Sequence, residues 1–224
     1  MDDMINAMPV TLLIAALAAL LILVLSIPLG ILSAAKEGSP ADSIAGVLAF
    51  FSLSIPGYFL GLLFLWLFGF KLKLFPVVGH GDPMSILFAA LVLALPMAGS
   101  LTKLLRALIL EYRKSDFAAY AMARGISKNG ILWRHLLRNA APPCVTMFGQ
   151  NIGYLIAGTA VVETIFSCTG MGAYALNAAM NRDFPAVTAY ALVMAAFFVL
   201  CNLGADLLGL LLDPRSRQAR ERAL

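Results

Sequence analysis

The sequence predicts an all-α fold, a polytopic integral membrane helix bundle with about five transmembrane helices. Three observations predict it. Of the 224 residues, 61% are hydrophobic and 12% are charged, and the mean hydropathy is +0.90. That is more apolar surface than a soluble domain of this size can hide. Several runs exceed the roughly 18 apolar residues that mark a membrane-crossing helix. No run alternates apolar and polar residues as the strands of a membrane barrel would. The chain from 1 to 224 reads as a single transmembrane domain.

Taken in order, Met1 to Met8 is short and polar, and the first span follows at about 9–34. It is too long for the apolar core of a secretory signal and has no basic region ahead of it, so it is expected to be retained. A tight polar turn, Lys36 to Asp42, leads into a second span at about 43–70, which Pro56 and Gly57 are expected to kink. A Gly- and Pro-rich loop from Lys71 to Pro83 precedes the third span, about 84–110, with Pro96 near its middle. The fourth span is expected at about 143–163 and the fifth at about 185–212. Between them Thr164 to Phe184 reads as a polar re-entrant or surface segment, and Asp213 to Leu224 is a basic tail. The longest spans make roughly 40 Å of helix against a hydrocarbon core of about 30 Å, which calls for tilt or for ends that leave the bilayer.

The segment 111–142 is the one long polar stretch, and it holds six of the sixteen basic residues: Arg113, Lys114, Arg124, Lys128, Arg134 and Arg138. It is patterned as two short helices. Ser115 is expected to cap the first by accepting a backbone N–H, with Asp116 complementing the helix dipole in the first turn. Phe117 to Arg124 runs without a breaker, and Gly125 suits the left-handed position that ends a helix. The second helix, about Ser127 to Ala141, carries Leu132 and Leu136 on one face and Arg134 and Arg138 on another. Pro142 and Pro143 are expected to stop it and open the next span. A connector that only sets topology needs a few residues. A helix that holds Phe117, Tyr120 and Met122 outside the bilayer needs a surface to bury them against, which points to a docking element.

If the spans alternate, Lys36, those six residues and Arg215, Arg217, Arg220 and Arg222 share one side, against Lys71, Lys73 and Arg182 on the other. The positive-inside bias makes the 111–142 segment and the C-terminus cytoplasmic and the N-terminus external. Cys144, Cys168 and Cys201 have no metal-ligand spacing, and Cys168 alone falls in an expected outside loop, so no disulfide framework is expected. His80 and His135 fall on opposite sides and cannot share a metal or a catalytic task. Lys103 and Arg106, near the cytoplasmic end of the third span, are expected to snorkel. Asp206 reads as the one intramembrane acid, with a helix–helix hydrogen bond to Asn202 as its simplest role.

Gly125 preceded by small residues at Ala119, Ala121 and Ala123, then Arg134 to Asn139 and Pro143, resembles the cytoplasmic loop of binding-protein-dependent ABC importer permeases. Ala119, Tyr120 and Ala121 stand where that family usually has Glu-Ala-Ala, a pattern from which its peptide and nickel branch also departs. Glu163 and Phe166 followed by Gly170 and Gly172 resemble the family's outside-loop motif, with Thr169 at the usual proline. Asn181 to Pro185 and Leu212 to Arg215 match as well, and Cys201 to Leu203 resembles the nickel members. The family's region before this match, an N-terminal span and an outside domain, has no counterpart here. Truncation or a complementing chain is the expectation.

The resemblance implies a type I importer permease in the inner membrane, moving nickel, a nickel chelate or a di- or oligopeptide into the cytoplasm. It implies a coupling helix whose contact residues would be Phe117, Ala119, Tyr120, Ala121, Arg124 and Gly125. The partners implied are two ATPase subunits, a second homologous permease and an external solute-binding protein, besides the lipid bilayer. The chain has no Gly-x-x-x-x-Gly-Lys-Ser/Thr phosphate loop, so ATP would be used by a partner and no cofactor is expected in the chain itself. No nucleophile motif and no carboxylate pair marks it as an enzyme, and its charge distribution gives no sign of nucleic-acid binding. A secondary transporter or a structural membrane subunit without ATP coupling is the alternative, disfavoured because ion-coupled carriers need more buried charge. A reporter fused after Arg217 is expected to be active only in the cytoplasm, and one inserted between Gly79 and Asp82 only outside. The reverse pattern of activity would overturn the orientation.

Overall fold

A computed structural model describes residues 2–77 and 82–212. His80 and the basic tail with Arg215, Arg217, Arg220 and Arg222 lie outside the described residues, as does most of the Leu212–Arg215 match. The described residues form helices and turns with no strand. The helices are α1 (Asp2–Ala35), α2 (Pro40–Ser54), α3 (Gly57–Phe64), α4 (Pro83–Arg113), α5 (Asp116–Ala123), α6 (Lys128–Ile131), α7 (Leu137–Ile165), α8 (Met171–Met180) and α9 (Phe184–Leu212). Wide π turns at Leu65–Lys71 and Leu132–Leu136 extend α3 and join α6 to α7.

α1 and α4 lie side by side in the same direction at the centre of the bundle. Gly30 faces Leu105 so closely that a Cβ there would come within 2.9 Å of the leucine side chain. The Arg113 guanidinium donates to the Ala34 carbonyl, fastening the two C-terminal ends. α7 runs antiparallel to both, since Thr11 near the start of α1 meets Glu163 near the end of α7. α9 returns antiparallel along α7, with Gly149 against Ala205 and Gly153 against Phe198. Glycines at these crossings let the backbones approach, which is how apolar helices associate where there is no hydrophobic drive from water. The core is built mostly from α1, α4 and α7, among them Ile14, Ile22, Val92, Leu101, Leu155 and Val162. A second apolar cluster, Ile31, Leu105, Ile109, Ala118, Ala121, Leu132 and Leu136, closes the end that carries the basic segment.

Several boundaries differ from the sequence reading, two of them at prolines. The expected second span is two helices, bent by 104° at Ile55 and Pro56. Pro56 has no N–H, and Ile55 leaves the helix with extended backbone (φ −88°, ψ 125°), so α2 ends instead of kinking. The pair still crosses the bundle. Its partners on α4 climb from Arg106, beside Asp42, through Gly99, beside Ala49 and Ser52, to Val92, beside Gly61, and Phe88, stacked on Phe68. Arg106 to Phe88 is roughly 27 Å of helix, close to the thickness of a hydrocarbon core. Counted this way, the described residues hold five candidate crossings, four unbroken helical segments and this bent pair.

The second difference lies at Pro142 and Pro143, which do not end a helix. One helical segment runs from Lys128 to Ile165 past both. The carbonyls they free are those of Arg138 and Asn139, two exposed residues at the basic end where water can satisfy them. Nearby side chains help: Asn139 Nδ2 donates to the His135 carbonyl at 2.7 Å and Thr146 Oγ1 to the Pro142 carbonyl at 3.2 Å. Leu132 and Leu136 are buried and Arg134 and Arg138 exposed, as the spacing predicts.

Arg106 does not snorkel. Its Nε and Nη2 donate to the two carboxylate oxygens of Asp42, each at 2.7 Å. Asp42 also accepts from Ser33 Oγ and from the Gly38 N–H at 3.0 Å, so one carboxylate joins the end of α1, the first turn of α2 and α4. A bidentate guanidinium–carboxylate pair has a geometry that Lys cannot reproduce. Arg106→Leu should therefore lower the thermal stability of detergent-purified protein clearly more than Arg106→Lys. Combining Arg106→Leu with Asp42→Asn should recover part of the loss, because no uncompensated charge remains. Equal melting temperatures for Arg106→Leu and the parent would rule out this role.

Candidate functional site

Two groups of residues picked out in the sequence lie at opposite ends of the bundle. At the basic end, α5 follows α4 after the two-residue link Lys114–Ser115. Ser115 occupies the cap position with extended backbone, but its hydroxyl donates to the Tyr112 carbonyl at 2.5 Å instead of accepting an N–H. The cap hydrogen bond expected there is absent because the serine turns back to tie α5 to the last turn of α4. The other end of α5 is closed as the sequence predicts. Gly125 has φ +79°, its N–H donates to the Met122 carbonyl at 2.9 Å, and the Ile126 N–H donates to the Ala121 carbonyl at 3.2 Å. This is the paired closure of a Schellman motif, which needs a left-handed residue just past the helix.

The helix presents two faces. Ala118 and Ala121 are buried against the protein's own bundle, beside Ile109, Ile131 and Leu132. Phe117, Tyr120 and Met122 stay exposed, with Tyr120 at 65% the most open aromatic of the segment. The Arg124 guanidinium lies over the Tyr120 ring at 5.6 Å, and Ala119 is exposed beside them. Of the six candidate contact residues, five are therefore free to touch another molecule, and Ala121 seats the helix on its support.

At the far end the motif Glu163, Phe166, Gly170 and Gly172 closes around a buried carboxylate. Glu163 is completely buried. One of its oxygens accepts from Thr11 Oγ1 at 2.7 Å, and the other accepts from the Gly172 and Ala173 N–H groups at 2.8 and 3.0 Å. Thr11 Oγ1 in turn accepts from the Met171 N–H at 2.8 Å. The first three N–H groups of α8, which no helical carbonyl can reach, are thus all satisfied, and the negative charge sits at the positive end of the helix dipole. A side chain at Gly170 would run into the Glu163 carboxylate, and one at Gly172 into the backbone of Ala160. Phe166 is buried and packs on Phe75 at 5.9 Å, in an aromatic cluster with Phe68 and Phe88.

The segment expected to be re-entrant or surface-lying is therefore a helix, α8, folded back into the bundle, and Cys168, in the link before it, is buried. Burial pushes its thiol up to about 11, with the Glu163 carboxylate adding to the shift. A cleft of about 550 Å³ opens beside this knot, bounded by Asp3, Asn6, Thr164, Tyr174 and Asn177.

The sequence reading missed two participants. Thr11 is a lone polar residue in an apolar run, and nothing local names its partner. Asp42 does carry a signal: Ser39 lies three residues before it in the capping pattern Ser-x-x-Asp, and Ser39 Oγ accepts the Asp42 N–H at 3.3 Å. Its pairing with Arg106 is invisible without the fold. Glu163→Leu should leave two backbone N–H groups and a hydroxyl unpaired, at about 1–3 kcal/mol each, and Gly172→Val should force α8 off α7. Both should be seen as rapid proteolysis of residues 166–183 in membranes, while the exposed change Asn177→Ala stays resistant. Proteolysis equal to the parent in both would refute the knot.

Comparison with known proteins adds a lineage to this geometry. Residues 26–218 match the family of binding-protein-dependent transport system inner membrane components. The chain is 32% identical, over 93% of its length, to 67% of the metal-staphylopine import system permease protein CntB of Staphylococcus aureus. It is 34% identical, over 93% of its length, to 69% of the oligopeptide transport system permease protein AppB of Bacillus subtilis. It is 32% identical, over 95% of its length, to 63% of the nickel import system permease protein NikB of Staphylococcus aureus. It thus spans about two thirds of the length of these relatives. Matching them across both the 111–142 segment and the Glu163 knot, this multi-pass membrane chain belongs to the binding-protein-dependent ABC transporter permeases, in their peptide and nickel branch.

Proposed function

We propose that the chain is the transmembrane permease subunit of an ATP-driven importer that moves a small solute, nickel or a nickel chelate or a short peptide, into the cytoplasm. ATP hydrolysis takes place in two separate ATPase subunits, a second homologous permease completes the path, and an external solute-binding protein delivers the cargo. The observation that carries this reading is the two-faced α5. Its alanine face is seated on the bundle while Phe117, Tyr120 and Met122 are left bare at the basic end. An aromatic face outside the bilayer has an unfavourable contact with water until a partner covers it.

The mechanics follow from stiffness. α5 is tied to α4 by Ser115 and Tyr112 and closed at Gly125. The α4 end is tied to α1 by Arg113, and α4 to α2 by Asp42 and Arg106. A push on α5 by an ATPase closing on nucleotide therefore moves the ends of three helices together and rocks the bundle. At the other end, the cleft beside Glu163 supplies surface for a solute-binding protein, together with the expected segments 164–184 and 71–83, the latter partly outside the described residues.

Gly125→Val should strain the closure of α5, since a β-branched residue in the left-handed region costs roughly 1–2 kcal/mol. Tyr120→Asp should place a charge in a contact that must be desolvated. Both variants should insert normally yet lose ATPase co-purification and ATP-dependent uptake, whereas Lys128→Ala should retain both. Full association and uptake in the first two, with loss in Lys128→Ala, would mean that the segment acts by charge alone and would end the lever reading.

A further inference from the structure

α7 and α9 form an antiparallel pair whose facing edge is marked by Gly149 against Ala205 and Gly153 against Phe198. Successive helical residues turn by about 100°. Gln150 and Tyr154 each follow a facing glycine by one residue, and Asp206 follows Ala205 by one, with Asn202 a turn before it. Because the helices are antiparallel, a one-residue advance on each rotates toward the same side of the pair. All four side chains therefore project from one face. Gln150, Tyr154 and Asp206 are exposed there and Asn202 half-buried, and the Tyr154 ring meets Phe198 edge-on at 5.7 Å. Thr188 and Ala195 continue the line on α9 in seven-residue steps, both exposed. The side of α9 turned away from α7 is plain hydrocarbon: Leu200, Leu203 and Leu207 are all more than half exposed, and Leu200 and Leu207 lie farthest round from the polar line.

Gln150 and Tyr154 lie at the middle of α7, and Asn202 lies level with them. Amide, phenol and carboxylate groups at that depth are expensive against lipid, so a face that shows them is turned to water or to polar cargo. No hydrogen bond joins Asp206 to Asn202 among the described residues, so the simple helix–helix role expected for Asp206 does not use it up. The charge is one-sided. α9 carries no Lys or Arg, α7 has Arg138 alone at its basic end, and Glu163 is fully engaged in the knot. Asp206 is thus the one charge on the stripe.

We propose that the Gln150, Tyr154, Asn202 and Asp206 face lines the translocation path, and that its cargo is a polar solute carrying positive charge, a complexed metal cation or an ammonium group. The amides and the phenol exchange hydrogen bonds with a passing solute, and Asp206 draws the cation toward the basic end. This rests on the importer reading above, and it adds which side of the bundle the solute touches and the sign of its charge.

The test uses the assembled transporter with Cys144, Cys168 and Cys201 replaced by serine and single cysteines at 150, 154, 202, 200 and 207. The probe is a membrane-impermeant trimethylammonium methanethiosulfonate, applied with and without ATP and vanadate. Thiols in a wet path ionise and react, while those against lipid do neither, so Gln150→Cys, Tyr154→Cys and Asn202→Cys should label about tenfold faster than Leu200→Cys and Leu207→Cys in one nucleotide state or the other. Labelling no faster than at the two leucine positions in both states would overturn the assignment. Asp206→Asn should lose uptake of nickel chelate or cationic peptide while keeping ATPase association and uptake of an anionic peptide, and Asp206→Glu should restore it. Equal uptake of all cargoes by Asp206→Asn would overturn the charge selection. Labelling does not depend on coupling, so ATP-independent uptake by the serine-substituted parent would count against the importer reading alone.

Discussion

The fold depends on one buried carboxylate. Glu163 sits out of reach of water, at a depth where an ion without partners would cost far more than any single contact returns. Its partners come from two other elements, Thr11 on α1 and Gly172 and Ala173 at the start of α8, so that the carboxylate joins both to α7. Each is needed by the others. Without Thr11 the Met171 N–H has no acceptor, and without the bare backbone of Gly170 and Gly172 the carboxylate could not come close to α8. Because the charge cannot be solvated elsewhere, the knot sets the register of α1 against α7 and turns α8 back into the bundle.

A second ionic joint does comparable work at the other end under different physics. The Asp42–Arg106 pair is about a third open to solvent on the arginine side, where screening weakens the attraction. What it supplies is geometry. A planar fork on a planar carboxylate fixes how α4 lies against the first turn of α2, with Ser33 and Gly38 completing the ring of donors. Together the two joints make the central helices stiff along their length, and a stiff bundle is what can carry a displacement from α5 to the far end. The apolar packing between them, with glycines at the closest crossings, holds the helices together without dictating their register so strictly.

The resulting molecule has three kinds of surface. The hydrocarbon face, typified by Leu200, Leu203 and Leu207, asks only for lipid. The exposed face of α5, with Phe117, Tyr120 and Met122, is the one that the proposed function gives to a partner protein. The narrow polar face of α7 and α9, midway along both helices, is the one that the proposed path gives to water and solute. The three follow from the same rule, that each group is found where its solvation cost is lowest.

The sequence by itself determined the class of protein and the places of most of its long apolar helices, because apolar runs act locally and need no partner. It also determined the closure at Gly125 and the split between Leu132 and Leu136 on one side and Arg134 and Arg138 on the other, since backbone φ and helical spacing are properties of a few neighbouring residues. The motif of Glu163, Phe166, Gly170 and Gly172 was legible as a pattern, but its reason was not. The glycines are required by the Glu163 carboxylate and by the backbone of Ala160, contacts that exist only once α7 and α8 are packed. The same holds for the break at Pro56, where a local rule gave a kink and packing against α4 allowed a full bend. Tertiary structure alone decided that Arg106 finds Asp42, that Ala121 faces inward while Tyr120 faces out, and that Gln150, Tyr154, Asn202 and Asp206 share a side. These are relations between residues far apart in the chain, and no local propensity carries information about a partner that only the closed bundle brings within reach.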